Sequence, residues 1–313
     1  MMTEPNPTVS VVIPTRNRPE LVVRAVRSAL GQTFRNLEVL VVIDGPDLAT
    51  VSALREVRDS RLRLLQLSQS VGGAGARNEG VKAAGGEWVA FLDDDDEWLA
   101  GKLDRQLQIA RQSSAREPIL ACRLIASTPS GRYVWPRRMI RPGEHVSDFV
   151  MSRTDLFQGE GLLQTSMLMA RKRLLDEVPF DEQVRRHQEW DWLLRVHTLP
   201  GVRIEFAPEP LLIWYVEESR ESISNQSNWR YSLEWIRRRR RLVTKRAYAG
   251  FLMTLVTALA ARARDWSAIK PVFWEAVRFG RPNAAAMAVF VGLWLLPTGF
   301  RRRLRHLATG AAG

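Results

Sequence analysis

Four short apolar runs, separated by amphipathic stretches, dominate the first hundred residues. Val9 to Ile13 is continuously apolar and stops at Pro14, and Leu37 to Ile43 stops at Asp44-Gly45-Pro46. A shorter run falls near 61–67, and Trp88 to Leu92 ends in four aspartates. Apolar runs of this length without alternation predict strands buried on both faces. Between them, Leu21, Val22, Ala25, Val26 and Ala29 recur at helical spacing behind Pro19, predicting a helix over 19–30. A second helix is predicted near 47–58, and a Gly-rich turn at 71–75 leads into a third that reaches about Ala84. The order β-α-β-α-β-α-β predicts an α/β fold with a doubly wound, mainly parallel sheet and right-handed crossovers. Such sheets bind ligands outside the carboxyl ends of their strands. Here those ends are Pro14–Arg18, Asp44–Asp47 and Asp93–Glu97.

The pattern is more mixed further on. A helix is predicted over 98–110, strands over 119–126 and 162–170, a helix over 182–198, and a strand pair or a strand and loop over 202–215. Beyond 216 the chain reads as mainly helical. The expected division is a catalytic body over 1–215, with halves at about 8–105 and 106–215, and a helical C-terminal region over 216–313. Two late segments, 247–261 and 284–296, are strongly apolar. They run to 15 and 13 residues, short of the roughly 20 a spanning helix needs. They are expected to be buried helices or in-plane membrane anchors.

Charge sharpens this division. The chain of 313 residues carries a net +12. Residues 216–313 hold 18 Lys and Arg against 6 Asp and Glu, so the whole excess lies there and the first 215 residues balance. A neutral body with a cationic tail points to an anionic partner, membrane or nucleic acid. The single cysteine, Cys122, excludes an internal disulfide and suits a reducing cytoplasm. The polar opening MMTEPNPT is expected to fray over 1–7, not to act as a secretory signal.

The candidate chemistry lies in FLDDDDEW, with Asp93 to Asp96 followed by Glu97. Adjacent carboxylates repel, so their clustering behind a buried strand calls for a cation among them. Hard divalent ions, Mg²⁺ or Mn²⁺, take carboxylate oxygens and share phosphate oxygens of a substrate. Asp93 and Asp95 are two apart, and on an extended segment they face the same side. The alternative is a solvated acidic loop with a helix N-cap. VGGAGARNEG lacks the Lys-Ser/Thr of a P-loop and the dinucleotide-binding glycine pattern, leaving a tight turn before a helix. The histidines, His145, His187, His197 and His306, have no zinc-motif spacing.

The segments VSVVIPTRNRPELVVRAVRSALGQTFRNLEVLVVIDGPD and VGGAGARNEGVKAAGGEWVAFLDDDDEW resemble the family 2 glycosyltransferases in wording, order and spacing. The resemblance is close over about 8–105 and looser over 160–215. It implies a GT-A (Rossmann-like) fold, a nucleoside-diphosphate sugar donor and a DxD metal site. On that likeness Asp93 and Asp95 take the DxD positions with Asp94 between them, and the metal falls to Asp95 and Asp93. Pro14, Thr15 and Arg16 would line the base and ribose, Asp44 would sit near the base, and Arg77 and Asn78 would lie beside the nucleotide. Relatives carry a catalytic acid six residues before an arginine, a register that lands on Glu189 in HQEWDWLLR, with Asp191 the second choice. Residues two apart on a helix lie about 200° apart, so only one of the two can face an acceptor. Asp191 can pair with Arg195, and Glu189 with Arg185 or Arg186.

The expected function is therefore an inverting, metal-dependent glycosyltransferase that moves a sugar to a hydroxyl acceptor in cell-surface polysaccharide or glycolipid synthesis. A nucleotidyltransferase on a similar fold and a non-catalytic, membrane-docked nucleotide-sugar binder are the alternatives. Arg237 to Arg241, and Arg301 to Arg303 with Arg305, bracket the apolar tail helices, among which Trp229, Trp235, Trp266, Trp274 and Trp294 are scattered. That mixture suits an anionic bilayer surface through 237–305 better than nucleic acid. It fits a peripheral protein on the inner face of the plasma membrane, although a helical bundle packed on the catalytic domain would share the composition.

Overall fold

The computed structural model describes residues 8–157, 159–216 and 229–296. They divide into two compact units, one drawn from Met1–Trp135 and Leu163–Glu218, the other from Pro136–Leu162 and Ser219–Gly313. The expected frayed start over 1–7, the cluster Arg301 to Arg305 and His306 lie outside the described residues.

The first unit is built on one mixed sheet. Its first four strands are β1 (Val9–Thr15), β2 (Leu37–Ile43), β3 (Leu62–Gln66) and β4 (Trp88–Phe91). They pair in parallel in the order β3-β2-β1-β4. Every residue of β2 is buried, as its unbroken apolar run requires. The crossovers are α1 (Pro19–Leu30), α2 (Leu48–Arg55) and α3 (Gly72–Ala83). Pro19 starts α1, where its missing N–H costs nothing, and Val22, Ala25, Val26, Ala29 and Leu30 form the buried face. Helix α3 lies close on the sheet because Gly80 has no side chain: a Cβ there would sit 2.4 Å from Val12 Cγ1.

Beyond β4 the sheet changes character. The remaining strands are β5 (Glu97–Trp98), β6 (Glu117–Thr128), β7 (Gly131–Trp135), β8 (Met169–Arg171) and β9 (Val202–Tyr215). Strand β8 runs antiparallel between β4 and β6, while β6 and β9 are parallel with a bulge around Arg123. The sheet is thus parallel where the βαβ pattern predicts it and mixed elsewhere. Residues 202–215 form one long strand. The predicted 98–110 helix becomes β5 followed by α4 (Lys102–Gln112). Of the strand expected over 162–170, only Met169 and Ala170 are strand, at the start of β8, and Thr165–Met167 is a 3₁₀ turn. Short helices α5 (Val146–Met151) and α6 (Lys172–Glu177) precede α7 (Gln188–Val196). Of these α5 belongs to the second unit.

In the second unit, 136–162 packs with α8 (Trp229–Arg238), α9 (Lys245–Phe251), α10 (Thr257–Arg262), α11 (Ile269–Phe279) and α12 (Ala284–Leu295). A π-helical turn, Leu252–Val256, joins α9 to α10. Thr244 caps α9 and also donates to Asp148 Oδ1 at 2.6 Å, tying α9 to α5. No described helix is long and apolar enough to cross a membrane.

Candidate active site

The acidic loop follows β4 and meets the carboxyl end of β1, with the end of β2 next to that of β1 in the sheet. Asp96 N–H donates to the Asp93 carbonyl at 3.1 Å, closing Asp93–Asp96 as a tight turn. The turn sorts the four carboxylates. Asp94 and Asp96 are buried, whereas the side chains of Asp93 and Asp95 remain 28% and 30% exposed. Asp93 and Asp95, expected to take the DxD positions, are thus the more exposed pair, on a turn and not on an extended segment, and Asp94 and Asp96 anchor the loop.

Each buried acid has its own partners. Thr15, at the end of β1, donates to Asp94 Oδ2 at 2.8 Å, and Arg18 donates to Asp94 Oδ1 at 2.9 Å. Burial pushes the Asp94 carboxyl up to about 6 despite the neighbouring Arg18 guanidinium, and Asp95 pushes the same way. Gln164 Nε2 donates to Asp96 Oδ2 at 2.9 Å, while Asp96 Oδ1 has no hydrogen-bond partner. Complete burial, with Asp95 and Asp93 nearby, drives Asp96 well above the ordinary carboxylate range.

The outward acids meet arginines. Arg18 Nη1 also reaches Asp95 Oδ2 at 3.4 Å, and Arg24 Nη2 donates to the Asp95 carbonyl at 2.7 Å. Arg77 on α3 donates to Asp93 Oδ1 at 2.5 Å and to Gln188 Oε1 at 2.8 Å. Arg77 thus links the acidic loop to the first turn of α7, which carries Glu189.

Helix α7 is held by its tryptophans. Trp192 Nε1 donates to the Val178 carbonyl at 2.7 Å and its ring stacks on Phe180, whose ring in turn meets Phe91 of β4 edge-on at 5.3 Å. Trp190 Nε1 donates to the Leu163 carbonyl at 2.9 Å. Glu189 and Asp191 consequently face different surroundings. Asp191 is fully buried and accepts from Arg195 Nε at 3.0 Å. The expected Asp191–Arg195 pair forms, with the carboxylate fully buried and the guanidinium 25% exposed. Glu189 is raised above the usual range, chiefly by burial; Arg77 opposes the shift and Asp93 adds to it. Those charges are the ones that rim the acidic loop. His187 caps α7 in a left-handed conformation, φ 66°, stacked on Trp190, and burial lowers its imidazole to about 3.

The other candidate residues are placed as follows. Asp44, after β2, accepts from the backbone N–H groups of Val71 at 2.7 Å and Gly72 at 3.1 Å and from Ser70 Oγ at 2.7 Å. It braces the glycine turn where Gly72 has φ +81°. Arg16 donates to that same Ser70 hydroxyl at 2.8 Å. Pro14 stays within β1, paired in register with Val42. Asn78 is turned to the protein interior: its amide exchanges hydrogen bonds with the backbone of Phe180 at 2.9 and 3.0 Å. The structure therefore gathers Thr15, Arg77, Asp93, Asp94, Asp95 and the start of α7 in one network, with Asp44 and Arg16 in an adjoining one.

Arg24 and Gln188, and Arg18 beyond its place in the strand end Pro14–Arg18, escape a reading of the sequence alone, yet they hold the network together. Arg18 had one signal: Pro19 at the first helical position makes Arg18 the residue that turns from the end of β1 into α1. Asn17 assists this reversal with φ 54°, its N–H held by Asp47 Oδ2 at 2.7 Å.

Among the described residues, no three His, Cys, Asp or Glu side chains form a closed metal cage. This is compatible with Mg²⁺ or Mn²⁺, which lean on one or two carboxylates plus substrate phosphates. Asp93 and Asp95 are the carboxylates that could supply such a donor set, each at present facing an arginine.

Residues 10–178 match the model of glycosyl transferase family 2. The chain belongs to this family. Among its curated relatives is the amylovoran biosynthesis glycosyltransferase AmsB of Erwinia amylovora, 29% identical over 235 residues, 72% of this chain and 76% of AmsB. Escherichia coli WfgD, a UDP-Glc:α-D-GlcNAc-diphosphoundecaprenol β-1,3-glucosyltransferase, is 40% identical over 101 residues, covering 32% of this chain and 40% of WfgD. Among solved structures, the mannosyltransferase PcManGT of Pyrobaculum calidifontis, in complex with GDP-Man and Mn²⁺, superposes with a TM-score of 0.56. It is 19% identical, and the match covers 97% of this family 2 chain and 84% of PcManGT. At that identity the likeness speaks for the fold alone, a GT-A glycosyltransferase fold, in keeping with the sheet described above.

Proposed function

We propose that this glycosyltransferase transfers a sugar, with inversion, from a nucleoside-diphosphate sugar to a hydroxyl of a lipid-linked glycan during surface polysaccharide synthesis. The observation that carries this reading is the bridge from Asp93 through Arg77 to Gln188, beside Glu189. It couples a carboxylate loop suited to a diphosphate–metal pair with a single second acid on another element. Nucleotidyl transfer would not call for that separate acid. The relatives support the substrate class: WfgD acts on a diphosphoundecaprenol-linked sugar, and AmsB serves amylovoran biosynthesis.

In this reading Asp95 and Asp93 hold Mn²⁺ or Mg²⁺, which neutralises the leaving diphosphate when bound. Thr15 and Arg18 fix the loop through Asp94, which holds in place the backbone that carries Asp93 and Asp95. Asp44 and Arg16 shape the wall for the base and ribose, with Pro14 behind them. Arg77 serves the donor side while orienting α7. Asn78 acts from one step away, by securing α3 to the Phe180 backbone. Glu189 accepts the acceptor hydroxyl's proton as that oxygen attacks the anomeric carbon opposite the leaving group, which inverts configuration. The raised Glu189 carboxyl is a stronger base than an exposed one. Asp191, tied to Arg195, is a structural residue of α7. The basic, apolar second unit keeps the enzyme peripheral at an anionic membrane, near a lipid-linked acceptor.

Glu189→Gln is expected to lower kcat by at least about 100-fold, with UDP- or GDP-sugar affinity within a factor of two or so of the parent. Turnover measured with a radiolabelled donor, beside calorimetric donor binding, decides it. Unchanged turnover removes Glu189 from this role.

A further inference from the structure

Helices α11 and α12 both pack on the π-helical turn Leu252–Val256 and meet each other through aromatic rings whose order runs antiparallel. Trp266, in the turn leading into α11, stacks with Trp294 near the end of α12 at 5.2 Å, and Phe273 meets Phe290 at 5.8 Å midway. Phe273 and Phe290 thus mark where each helix faces the other. At 100° per residue, Lys270, Trp274 and Val277 lie roughly 40–100° round α11 from Phe273, all in the same rotational sense. Ala288, Val291 and Leu295 lie roughly 100–160° round α12 from Phe290, again in that sense. In an antiparallel pair, equal senses of rotation bring both stripes to one side.

That side is exposed and mostly apolar. Trp274 is 64% exposed and Leu295 73%, and Val277 and Val291 are also open to solvent. The surrounding ionic residues of α11 on this side, Lys270 and Arg278, are basic and exposed. The acid of α11, Glu275, is turned away and held by Arg237 at 2.8 Å and by the Tyr248 hydroxyl at 2.7 Å. By contrast, Trp229 and Trp235 are core residues of this unit. The run from Arg237 is engaged at several positions: Arg238 pairs with Glu234, and Arg240 lies over the Phe279 ring at 4.6 Å.

We infer that the α11/α12 face docks on an anionic lipid bilayer, lying in the interface with Trp274, Val291 and Leu295 inserted and Lys270 and Arg278 at the headgroups. Helices of 11 and 12 residues are about 16–18 Å long, so neither can cross a hydrocarbon core of about 30 Å. An interfacial helix buries its apolar face at shallow depth and adds electrostatic attraction to anionic lipid. Exposed tryptophan, exposed aliphatics and cations without an acid on the same side meet both requirements. This inference rests on the membrane-peripheral reading above and names the surface that carries it, which is not the arginine run.

Co-sedimentation of the full chain with phosphatidylcholine vesicles, with or without phosphatidylglycerol, tests it. The parent should sediment with the mixed vesicles, and Trp274→Ser with Leu295→Ser should weaken that partitioning tenfold or more. Lys270→Glu with Arg278→Glu should abolish the preference for phosphatidylglycerol. Circular dichroism checks that the variants are folded, and UDP-dependent thermal stabilisation reports the donor site separately. If the serine variant sediments like the parent, the face is wrong. A parent that binds neither vesicle overturns membrane contact itself, even where nucleotide stabilisation shows the donor reading intact. A concentration-dependent dimer that the serine variant dissolves would assign the face to a second copy of this chain.

Discussion

Arg18 carries two contacts of unequal quality. Its bond to Asp94 is 2.9 Å, to a carboxylate that is buried and also held by Thr15. Its contact with Asp95 is 3.4 Å, to a carboxylate that is 30% exposed. The first is an anchor, and the second is the one a divalent cation at Asp95 would compete with. Arg18→Gln removes a positive charge a few ångströms from that carboxylate and should tighten donor-free Mn²⁺ binding by roughly tenfold. Electron paramagnetic resonance of free Mn²⁺ measures this without any turnover. Weaker binding in the variant would mean that Arg18 organises the carboxylates more than it competes for them. The acidic loop was legible at this scale because four consecutive aspartates behind an apolar strand leave few alternatives. The contacts of Arg18 and Arg24 were not, since their meaning depends on which loop lies opposite, and no local pattern records that.

At the scale of elements, the close packing of α3 on the sheet is encoded in a residue with nothing to see. Gly80→Val would drive a side chain into Val12, whose Cγ1 stands 2.4 Å from where a Cβ would sit, and should cost about 1–3 kcal/mol. Chemical denaturation monitored by tryptophan fluorescence is the measurement, with a matched change at exposed Gly101 as the comparison. Helix α4 offers a pH test. Lys102, fully buried over the Trp98 ring at 4.0 Å and bonded to Gln106 at 2.8 Å, is lowered to about 8 by burial. Folding disfavours its charged form relative to the unfolded chain, so the unfolded chain binds more protons between that value and the ordinary lysine range. Lys102 therefore destabilises the fold below about pH 8, and the deficit is relieved as pH rises toward 10.5. Lys102→Met should raise stability at neutral pH by up to roughly 3 kcal/mol and flatten the alkaline rise. A parent curve flat over that interval would contradict it. Elements with long uniform patterns, such as β1, β2 and α1, could be read directly from the sequence. The two-residue strand β5 and the 3₁₀ turn at Thr165–Met167 could not, because pairing with β9 and burial around Trp98 and Ser166 define them.

At the scale of the whole molecule, the segment 136–162 shows the reach of sequence reading. It lies between strands of the first unit, yet it packs with the C-terminal helices through contacts such as Thr244 with Asp148 and Asn283 with the Arg153 carbonyl. Partners about a hundred residues away leave no periodicity to detect. The same division shapes what a ligand can stabilise. On the proposed function a nucleotide would bind only the folded form of the unit that holds Asp44, Asp93 and Asp95, and at a hundred times its Kd would add about 2.7 kcal/mol to that unit. For a body of roughly 200 residues this corresponds to a rise in Tm of about 5–10 °C. If the two units melt separately, one transition should move and the other should stay. Differential scanning calorimetry with UDP, GDP or dTDP, each with and without Mn²⁺, would identify the base by the largest shift. The shift with nucleotide and Mn²⁺ together should exceed the sum of the two alone, because the ion is to be shared between the carboxylates and the diphosphate. Asp95→Ala should erase that excess while keeping any smaller, metal-independent shift from contacts to the base. An excess that survives in Asp95→Ala would move the cation away from the outward face of the loop and, with it, the leaving group that Glu189 is supposed to oppose.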